Sequence, residues 1–177
     1  MSRTANLLGA LALIAADRVR EATGAESTWS AALVSLQTMT DGGSINELRR
    51  VLGLSHSGGV RVVKALSRAG LVDLRRDRND GRAVQVRLTE RGRATATRIR
   101  AARLEALDAL LDGLAPAERA QLDGLLSLAL GAATGDRDDA RHICRLCDPD
   151  VCGHPTRCPV TRSADEDASA STLSRPS

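Results

Sequence analysis

Residues 44–89 read SINELRRVLGLSHSGGVRVVKALSRAGLVDLRRDRNDGRAVQVRLT, and this stretch decides the fold. Its first part predicts two short helices. Ser44 begins the first helix, and Glu47 three positions later completes a capping box. Ser55 begins the second helix, after a turn at Gly53, and Gly70 ends it. The order of helix, glycine turn and helix is typical of a helix-turn-helix.

A β hairpin is predicted directly after these helices. Residues 71–75 and 83–88 form its two strands, and the second strand alternates apolar and polar side chains. The connecting loop, residues 76–82, is charged and contains Gly81. Two helices followed by a hairpin with a charged tip predict a winged helix-turn-helix.

The flanking segments are predicted to be helical. Residues 3–22 and 26–40 precede the winged element, and helices from Thr89 to about Gly113 and from Pro116 to 133 follow it. The first and last helices carry apolar stripes that so small a chain can hardly cover alone, so we expect them to pair in a homodimer. The predicted fold class is mainly α (α+β), a winged helix-turn-helix with long N- and C-terminal dimerisation helices. Residues 1–133 form this domain, with a DNA-binding lobe at 44–88 and mainly dimerisation helices at 1–43 and 89–133.

The last part of the chain differs in composition. We interpret residues 134–141 as a Gly/Asp-rich linker and residues 142–160 as a cysteine-rich module. Residues 161–177 are rich in Ser, Ala and Asp and show no periodicity, so a disordered tail is predicted there.

Composition limits the class of protein. The chain has 177 residues, of which 42% are hydrophobic and 27% charged, and Trp29 is its only aromatic residue. No apolar run approaches the ~20 residues of a membrane-spanning helix, so no membrane partner is expected. The apolar stretch 7–16 after Arg3 has some features of a secretory signal, but its helical spacing continues through charged residues 17–21, which favours a cytoplasmic protein.

Positive charge is concentrated in the centre of the chain. Residues 44–100 contain 14 Arg or Lys and 5 Asp or Glu, whereas the other residues contain 11 and 17. Such a local excess on a helix-turn-helix indicates binding to the phosphates of double-stranded DNA. A merely solvated basic surface is the alternative interpretation.

The residues predicted to contact DNA lie at two places. The second helix of the motif enters the major groove through its N-terminal end. Hydroxyls and first-turn amides there suit phosphates, and Arg61 suits a guanine or a phosphate. At the hairpin tip, Arg78 and Arg82 are predicted to reach the minor groove, with Asp80 or Asp77 orienting an arginine. In the helix, the predicted contacts are Ser55, His56, Ser57, Gly58 and Arg61.

These residues resemble the MarR (multiple antibiotic resistance regulator) family of transcription factors. The resemblance covers about residues 7–133, and the matching positions are Leu54-Ser55-His56-Ser57, Arg61, Leu66, Gly70-Leu71-Val72, Asp77, Asp80-Gly81-Arg82, Val86-Arg87-Leu88-Thr89 and Gly92. It implies a homodimer that binds a pseudo-palindromic operator, usually as a repressor. It also implies release of DNA on binding a small, often phenolic effector or on oxidation of a cysteine. Gly58-Gly59, Arg78 and Gly81 depart from the family pattern, and Trp29 alone is available to stack on an aromatic effector.

A cluster of four cysteines lies outside the family resemblance. Cys144, Cys147, Cys152 and Cys158 have the spacing C-x2-C-x4-C-x5-C. Four thiols can bind zinc or an iron–sulfur cluster, and neighbouring arginines would also favour redox-active thiolates. All three interpretations remain open from spacing alone.

The resulting functional hypothesis is a homodimeric DNA-binding transcriptional regulator, a repressor, modulated by a small ligand or by the cysteine cluster. The alternative is a metal-binding or redox-sensing protein whose winged helix contacts other proteins. An enzyme is disfavoured because the sequence shows no Ser/His/Asp set, paired-carboxylate site or phosphate loop.

Overall fold

A computed structural model describes residues 2–24, 27–76 and 84–173. The helices and strands in chain order are α1 Arg3–Thr23, α2 Ser27–Thr38, α3 Ile45–Val51, α4 His56–Arg68, β1 Val72–Arg76, β2 Val84–Leu88, α5 Glu90–Asp108, a single 3₁₀ turn Ala109–Leu111, α6 Pro116–Ala133, α7 Arg137–Ile143, α8 Pro149–Cys152 and α9 Pro159–Leu173. None of the helices in the described ranges has the length and apolarity needed to cross a membrane.

The winged helix-turn-helix forms as predicted. The Ser44 hydroxyl accepts the N–H of Glu47 at 3.1 Å and begins α3. Gly53 adopts φ +65° in the turn between α3 and α4, a left-handed conformation that favours glycine. Strands β1 and β2 pair antiparallel, with Val72 opposite Leu88 and Arg76 opposite Val84. The helical content together with this two-stranded sheet confirms the predicted fold class.

The core of this lobe includes α2 as its central helix. Leu33 and Leu36 of α2 are fully buried together with Leu48 of α3, Leu66 of α4 and Val86 of β2. Helix α2 packs against α3, α4, α5 and β2. Helix α2, which precedes the predicted lobe boundary at residue 44, therefore contributes side chains to the core of the winged lobe.

The junction between the wing and α5 requires a glycine. Thr89 caps α5 by accepting the N–H of Gly92 at 3.0 Å, and its own hydroxyl donates to the carbonyl of Gly70 at 2.9 Å. A Cβ on Gly92 would collide with the carbonyl oxygen of Leu71. The start of α5 is thus held in direct backbone contact with the end of α4 and the start of the wing.

Helices α1 and α6 leave apolar faces exposed. Neither helix contributes a buried residue, although α1 packs on α5. The side chains of Leu125 and Leu128 on α6 are 64% and 74% exposed, and Leu8 on α1 is 59% exposed. These are the two helices whose apolar stripes the sequence singled out.

The C-terminal segment is folded, which corrects two predictions. Residues 134–141 are not simply a linker, because α7 begins at Arg137 and packs on α3. The prediction of a disordered tail is wrong through Leu173, because α9 covers that stretch and packs on α6 and α7. Among the α9 residues whose burial is described, Val160 and Ala164, one turn apart, are buried. Two small apolar side chains were too weak a pattern to predict this helix.

Candidate nucleic-acid interface and cysteine cluster

One face of α4 is exposed and cationic. Ser57, Arg61, Lys64 and Arg68 follow one another at spacings of four, three and four residues and are all exposed. Val63 and Leu66 lie on the opposite, buried face. Helix α4 contains no acidic residue. We call Arg61, Lys64 and Arg68 the α4 cationic stripe.

The stripe has no ion-pair partner among the described residues. Within those ranges, no carboxylate lies within salt-bridge distance of Arg61, Lys64 or Arg68. Glu47, the acidic residue in the first turn of α3, pairs with Arg141 at 3.6 Å. Arg61 was predicted from the sequence, whereas Lys64 and Arg68 were not, although their helical spacing from Arg61 is visible in the sequence.

The N-terminus of α4 presents hydroxyls and an imidazole. Ser55, His56 and Ser57 are exposed, as a DNA contact requires. The Ser55 hydroxyl accepts the N–H of Gly58 at 3.2 Å and lies 3.2 Å from the Ser57 hydroxyl. Gly58 is buried and its amide is already used, so the prediction that Gly58 contacts DNA is not supported by its position.

Gly59 explains the unusual glycine pair. A Cβ on Gly59 would lie 2.8 Å from the Cβ of Arg49 on α3, closer than side chains pack. The glycine therefore permits close approach of α3 and α4. Its role is in helix packing and not in close approach to a ligand.

The base of the wing adds further positive charge. Arg75 and Arg76 are exposed on β1, which leads to the hairpin tip. Arg87 on β2 is exposed and donates to the side-chain oxygen of Gln85 at 3.2 Å. The predicted tip contacts Arg78 and Arg82, and the predicted orienting residues Asp77 and Asp80, lie outside the described residues.

The four cysteines surround one cavity of about 330 Å³. Cys144 follows α7 directly, and Cys147 lies one turn later, with its N–H donated to the Cys144 carbonyl at 2.9 Å. Cys152 is the last residue of α8, and Cys158 is buried just before α9. The C-terminal ends of α7 and α8 and the N-terminal end of α9 thus bring the four predicted metal ligands around one cavity.

Cys144 and Cys147 form the first of two contacting pairs. The Cys144 thiol donates to the sulfur of Cys147, and this contact, burial and the other three sulfurs raise the pKa of Cys144. The same hydrogen bond, with Arg103 and Arg145 nearby, lowers the pKa of Cys147 to about 6 despite its burial. Cys147 is therefore the thiolate of this pair at neutral pH.

Cys152 and Cys158 form the second pair. Burial and donation to Cys158 raise the pKa of Cys152 to about 11. Burial opposes ionisation of Cys158, but hydrogen bonds from Thr161, Cys152 and the N–H of Val160 hold its pKa below the usual value. In each pair, therefore, the pKa of one cysteine is lowered and the pKa of the other is raised.

The two pairs do not yet form a single coordination sphere. Among the residues that the structure describes, no three Cys, His, Asp or Glu side chains are placed as a metal site would place them. Four sulfurs on one cavity can nevertheless bind a thiophilic metal if the pairs move together, or form two disulfides within the pairs.

A helix-turn-helix followed by a β hairpin defines a winged-helix protein. Residues 24–83 match the family model described as MarR family. The predicted resemblance to the MarR family is thus confirmed for this segment, and the fold around it is that of MarR-type regulators. Comparison with curated proteins gave no match.

Solved structures share this fold over most of their own length. A probable transcriptional regulator from Pseudomonas aeruginosa is 28% identical, with a TM-score of 0.58, and the match covers 72% of this chain and 97% of that one. Wild-type apo MarR from E. coli is 22% identical, with a TM-score of 0.63 and coverage of 73% and 98%. A mutant of S. aureus MepR, bound to an oligodeoxyribonucleotide, is 17% identical, with a TM-score of 0.57 and coverage of 76% and 100%.

Proposed function

We propose that this protein is a homodimeric transcriptional regulator that binds a pseudo-palindromic operator in the bacterial cytoplasm and represses transcription. The observation that carries the proposal is the α4 cationic stripe. Three cations on one exposed helix face, without a carboxylate partner in the described ranges, create a local positive potential that attracts an anionic surface. The phosphate backbone of DNA is such a surface.

The position of the stripe within the motif supports DNA as the anionic partner. The second helix of a helix-turn-helix enters the major groove through its N-terminal end. Here that end offers Ser55, His56 and Ser57, and Arg61 lies one turn further along α4. Lys64 and Arg68 continue along the same face, where they suit phosphates flanking the groove.

A second copy of the chain is the proposed partner for α1 and α6. Their exposed leucines are too numerous for a stable solvated surface, and a patch of this kind marks a contact with another protein. A two-fold dimer would also place two copies of α4 on two half-sites of one operator.

A cavity of about 390 Å³ between α1, α2 and α5 is the proposed effector site. The Ser30 side chain on its wall is 4% exposed, and its hydroxyl has no hydrogen-bond partner within the described residues. Arg103 lines the same cavity. Arg20 and Thr23 also line the cavity, and guanidinium and hydroxyl groups beside apolar side chains such as Leu107 suit a small organic acid.

Binding to DNA at increasing salt tests the proposed function. We would measure fluorescence anisotropy of a labelled duplex from the promoter region of the protein's own gene. The logarithm of the binding constant should fall linearly with the logarithm of salt concentration. A protein with no affinity for any duplex at low salt would instead use its winged helix for protein contacts.

A further inference from the structure

We use the term cysteine module for residues 137–168, which extend the predicted cysteine-rich stretch 142–160 to include α7 and the described part of α9. Specific contacts attach this module to the DNA-binding lobe. The His142 Nδ1 donates to the Val51 carbonyl at the end of α3, at 2.9 Å. The Ser35 hydroxyl of α2 donates to the carbonyl of Arg145 at 3.1 Å. The module therefore rests on the first helix of the helix-turn-helix and on the core helix beneath it.

Charged contacts extend this attachment. Arg141 of α7 lies 3.6 Å from Glu47 of α3. Arg100 of α5 lies 3.6 Å from Asp148, with both side chains mostly buried. Because a buried ion pair is costly to separate, the second contact fixes the segment between Cys147 and Cys152 on α5.

The His142 ring also covers the turn of the helix-turn-helix. A Cβ on Gly53 would lie 3.1 Å from the Cε1 of His142. Gly53 is the residue that turns the chain from α3 into α4. His142, two positions before Cys144, is thus in contact with Gly53, the turn residue that sets the orientation of α4.

The C-terminal part of the module, α9, contacts helix α6. The Ser163 hydroxyl of α9 donates to the carbonyl of Gly131 on α6 at 2.8 Å. Cys144 lies at the end of α7 and Cys158 at the start of α9. A change in the separation of the two cysteine pairs must therefore move the α3 side of the module relative to the α6 side.

The chemistry of the cavity favours a thiophilic metal. Sulfur ligands select zinc and iron–sulfur clusters over oxygen-preferring cations, and four cysteines complete the coordination of either. A positive centre also removes the repulsion among four sulfurs placed around one cavity. Cys144 and Cys147 follow α7, whereas Cys152 ends α8 and Cys158 precedes α9. A single metal centre bound by all four cysteines would therefore connect these helices.

We propose that Cys144, Cys147, Cys152 and Cys158 together bind one thiophilic metal centre, a zinc ion or an iron–sulfur cluster, and that loading this site changes the affinity of α4 for DNA. The second clause rests on the proposed function, whereas the first stands without it. Coordination of zinc forms four Zn–S bonds and releases to solvent the protons of those cysteines that are still thiols, with no change of oxidation state. Loading draws the two pairs together, and α7 transmits the shift to α3.

Metal analysis tests the site itself. The full chain, purified without oxygen, should contain about one zinc per chain, or iron with a matching amount of acid-labile sulfide. Titration of metal-free protein with cobalt(II) should give the visible absorption of a four-sulfur tetrahedral site and saturate at about one equivalent. Absence of both metals together with a featureless cobalt titration would overturn the site. Two disulfides in the anaerobically purified chain would overturn it as well.

Cysteine variants assign the ligands. Cys144→Ser and Cys158→Ser each remove one ligand from a different pair and should abolish stoichiometric binding. Val151→Ser is the matched control, because Val151 is 71% exposed beside Cys152 and the substitution keeps all four thiols. If the cysteine variants fail to fold, the cobalt titration of the unaltered chain still decides the question. Full metal content in both cysteine variants would contradict the assignment.

DNA binding by loaded and metal-free protein tests the coupling. We expect the two affinities to differ by about tenfold, within the usual range of coupling between sites. His142→Ala should keep its metal and bring the ratio close to one, whereas His142→Asn, which retains a donor, should restore part of it. Equal affinities in the two unaltered states would overturn the coupling. Normal metal content without DNA binding in either state would refute the proposed function and leave the metal site intact.

Discussion

The imidazole of His142 satisfies the backbone carbonyl of Val51, 91 positions earlier in the chain, through a 2.9 Å hydrogen bond. Val51 is the last residue of α3, and the carbonyls in the final turn of a helix lack partners within the helix. A residue of the C-terminal module therefore completes the first helix of the helix-turn-helix. The module is a structural part of the DNA-binding lobe.

Replacing His142 should destabilise the lobe. His142→Ala removes one hydrogen bond and leaves the buried end of α3 unsatisfied, which should lower the free energy of unfolding by about 1–2 kcal/mol. Urea unfolding followed by the fluorescence of Trp29, which packs against the lobe core, measures this change. His154→Ala is the control, because His154 bonds to Thr161 within the module. Equal losses in both variants would argue against a specific role for His142.

Removing a cation from the stripe should weaken DNA binding. Lys64→Ala should reduce the salt-dependence slope by about one, the signature of a lost phosphate contact. Arg61→Ala should cost about 1–3 kcal/mol of binding free energy if Arg61 contacts a guanine. Anisotropy titrations at several salt concentrations measure both quantities.

The control for these variants is Arg18→Ala. It removes the same charge from α1, where Arg18 lies 3.7 Å from Glu21. The sequence also predicts weaker binding for Arg82→Ala at the wing tip. All variants should keep their oligomeric state. Unchanged affinity in the Arg61, Lys64 and Arg82 variants would contradict the assigned interface.

A methyl group at Gly59 should disturb the packing of α3 on α4. Gly59→Ala places its Cβ within 2.8 Å of Arg49 Cβ, and such overpacking should cost about 1–3 kcal/mol of stability. Gly124→Ala offers the opposite case on α6, because its added Cβ meets nothing within 4 Å. Alanine there should raise stability by up to about 1 kcal/mol through helix propensity. Thermal unfolding of the two variants at one protein concentration should shift in opposite directions.

A charge on the apolar face of α6 should separate the proposed dimer. Leu128→Glu places a carboxylate at a residue that is 74% exposed in the single chain. Its burial between two subunits would be unfavourable, so sedimentation should detect monomers. Val151→Glu introduces the same charge at a comparably exposed valine on α8 and should leave the dimer intact. A Leu128→Glu protein that sediments like the unaltered chain would exclude α6 from the interface.

Local signals in the sequence were sufficient to predict the winged lobe. Ser44, Ser55 and Thr89 are capping residues that act within three positions of themselves, and Gly53 and Gly70 mark turns. Such short-range chemistry does not depend on the rest of the fold. The same holds for the cysteine cluster, whose four members were identified by spacing alone.

Long-range packing explains what the sequence did not predict. Helix α2 appeared to be a dimerisation helix because its apolar run does not indicate which elements cover it, and the structure places it inside the lobe. Helix α9 was missed because Val160 and Ala164 become a buried face only against α6 and α7. Gly58 was predicted to contact DNA because nothing local distinguishes a glycine that faces a ligand from one that is covered by the residues just before it, as Gly58 is by Leu54 and Ser55.

The close contact at Gly59 also has a mechanical consequence. Two helices separated by side chains can shift against each other while rotamers change, but α3 and α4 meet where a glycine faces the Cβ of Arg49. No side chain of residue 59 lies between them to absorb a displacement. Helices α3 and α4 should therefore move as one rigid unit. A displacement of the end of α3 would then also displace the exposed residues of α4.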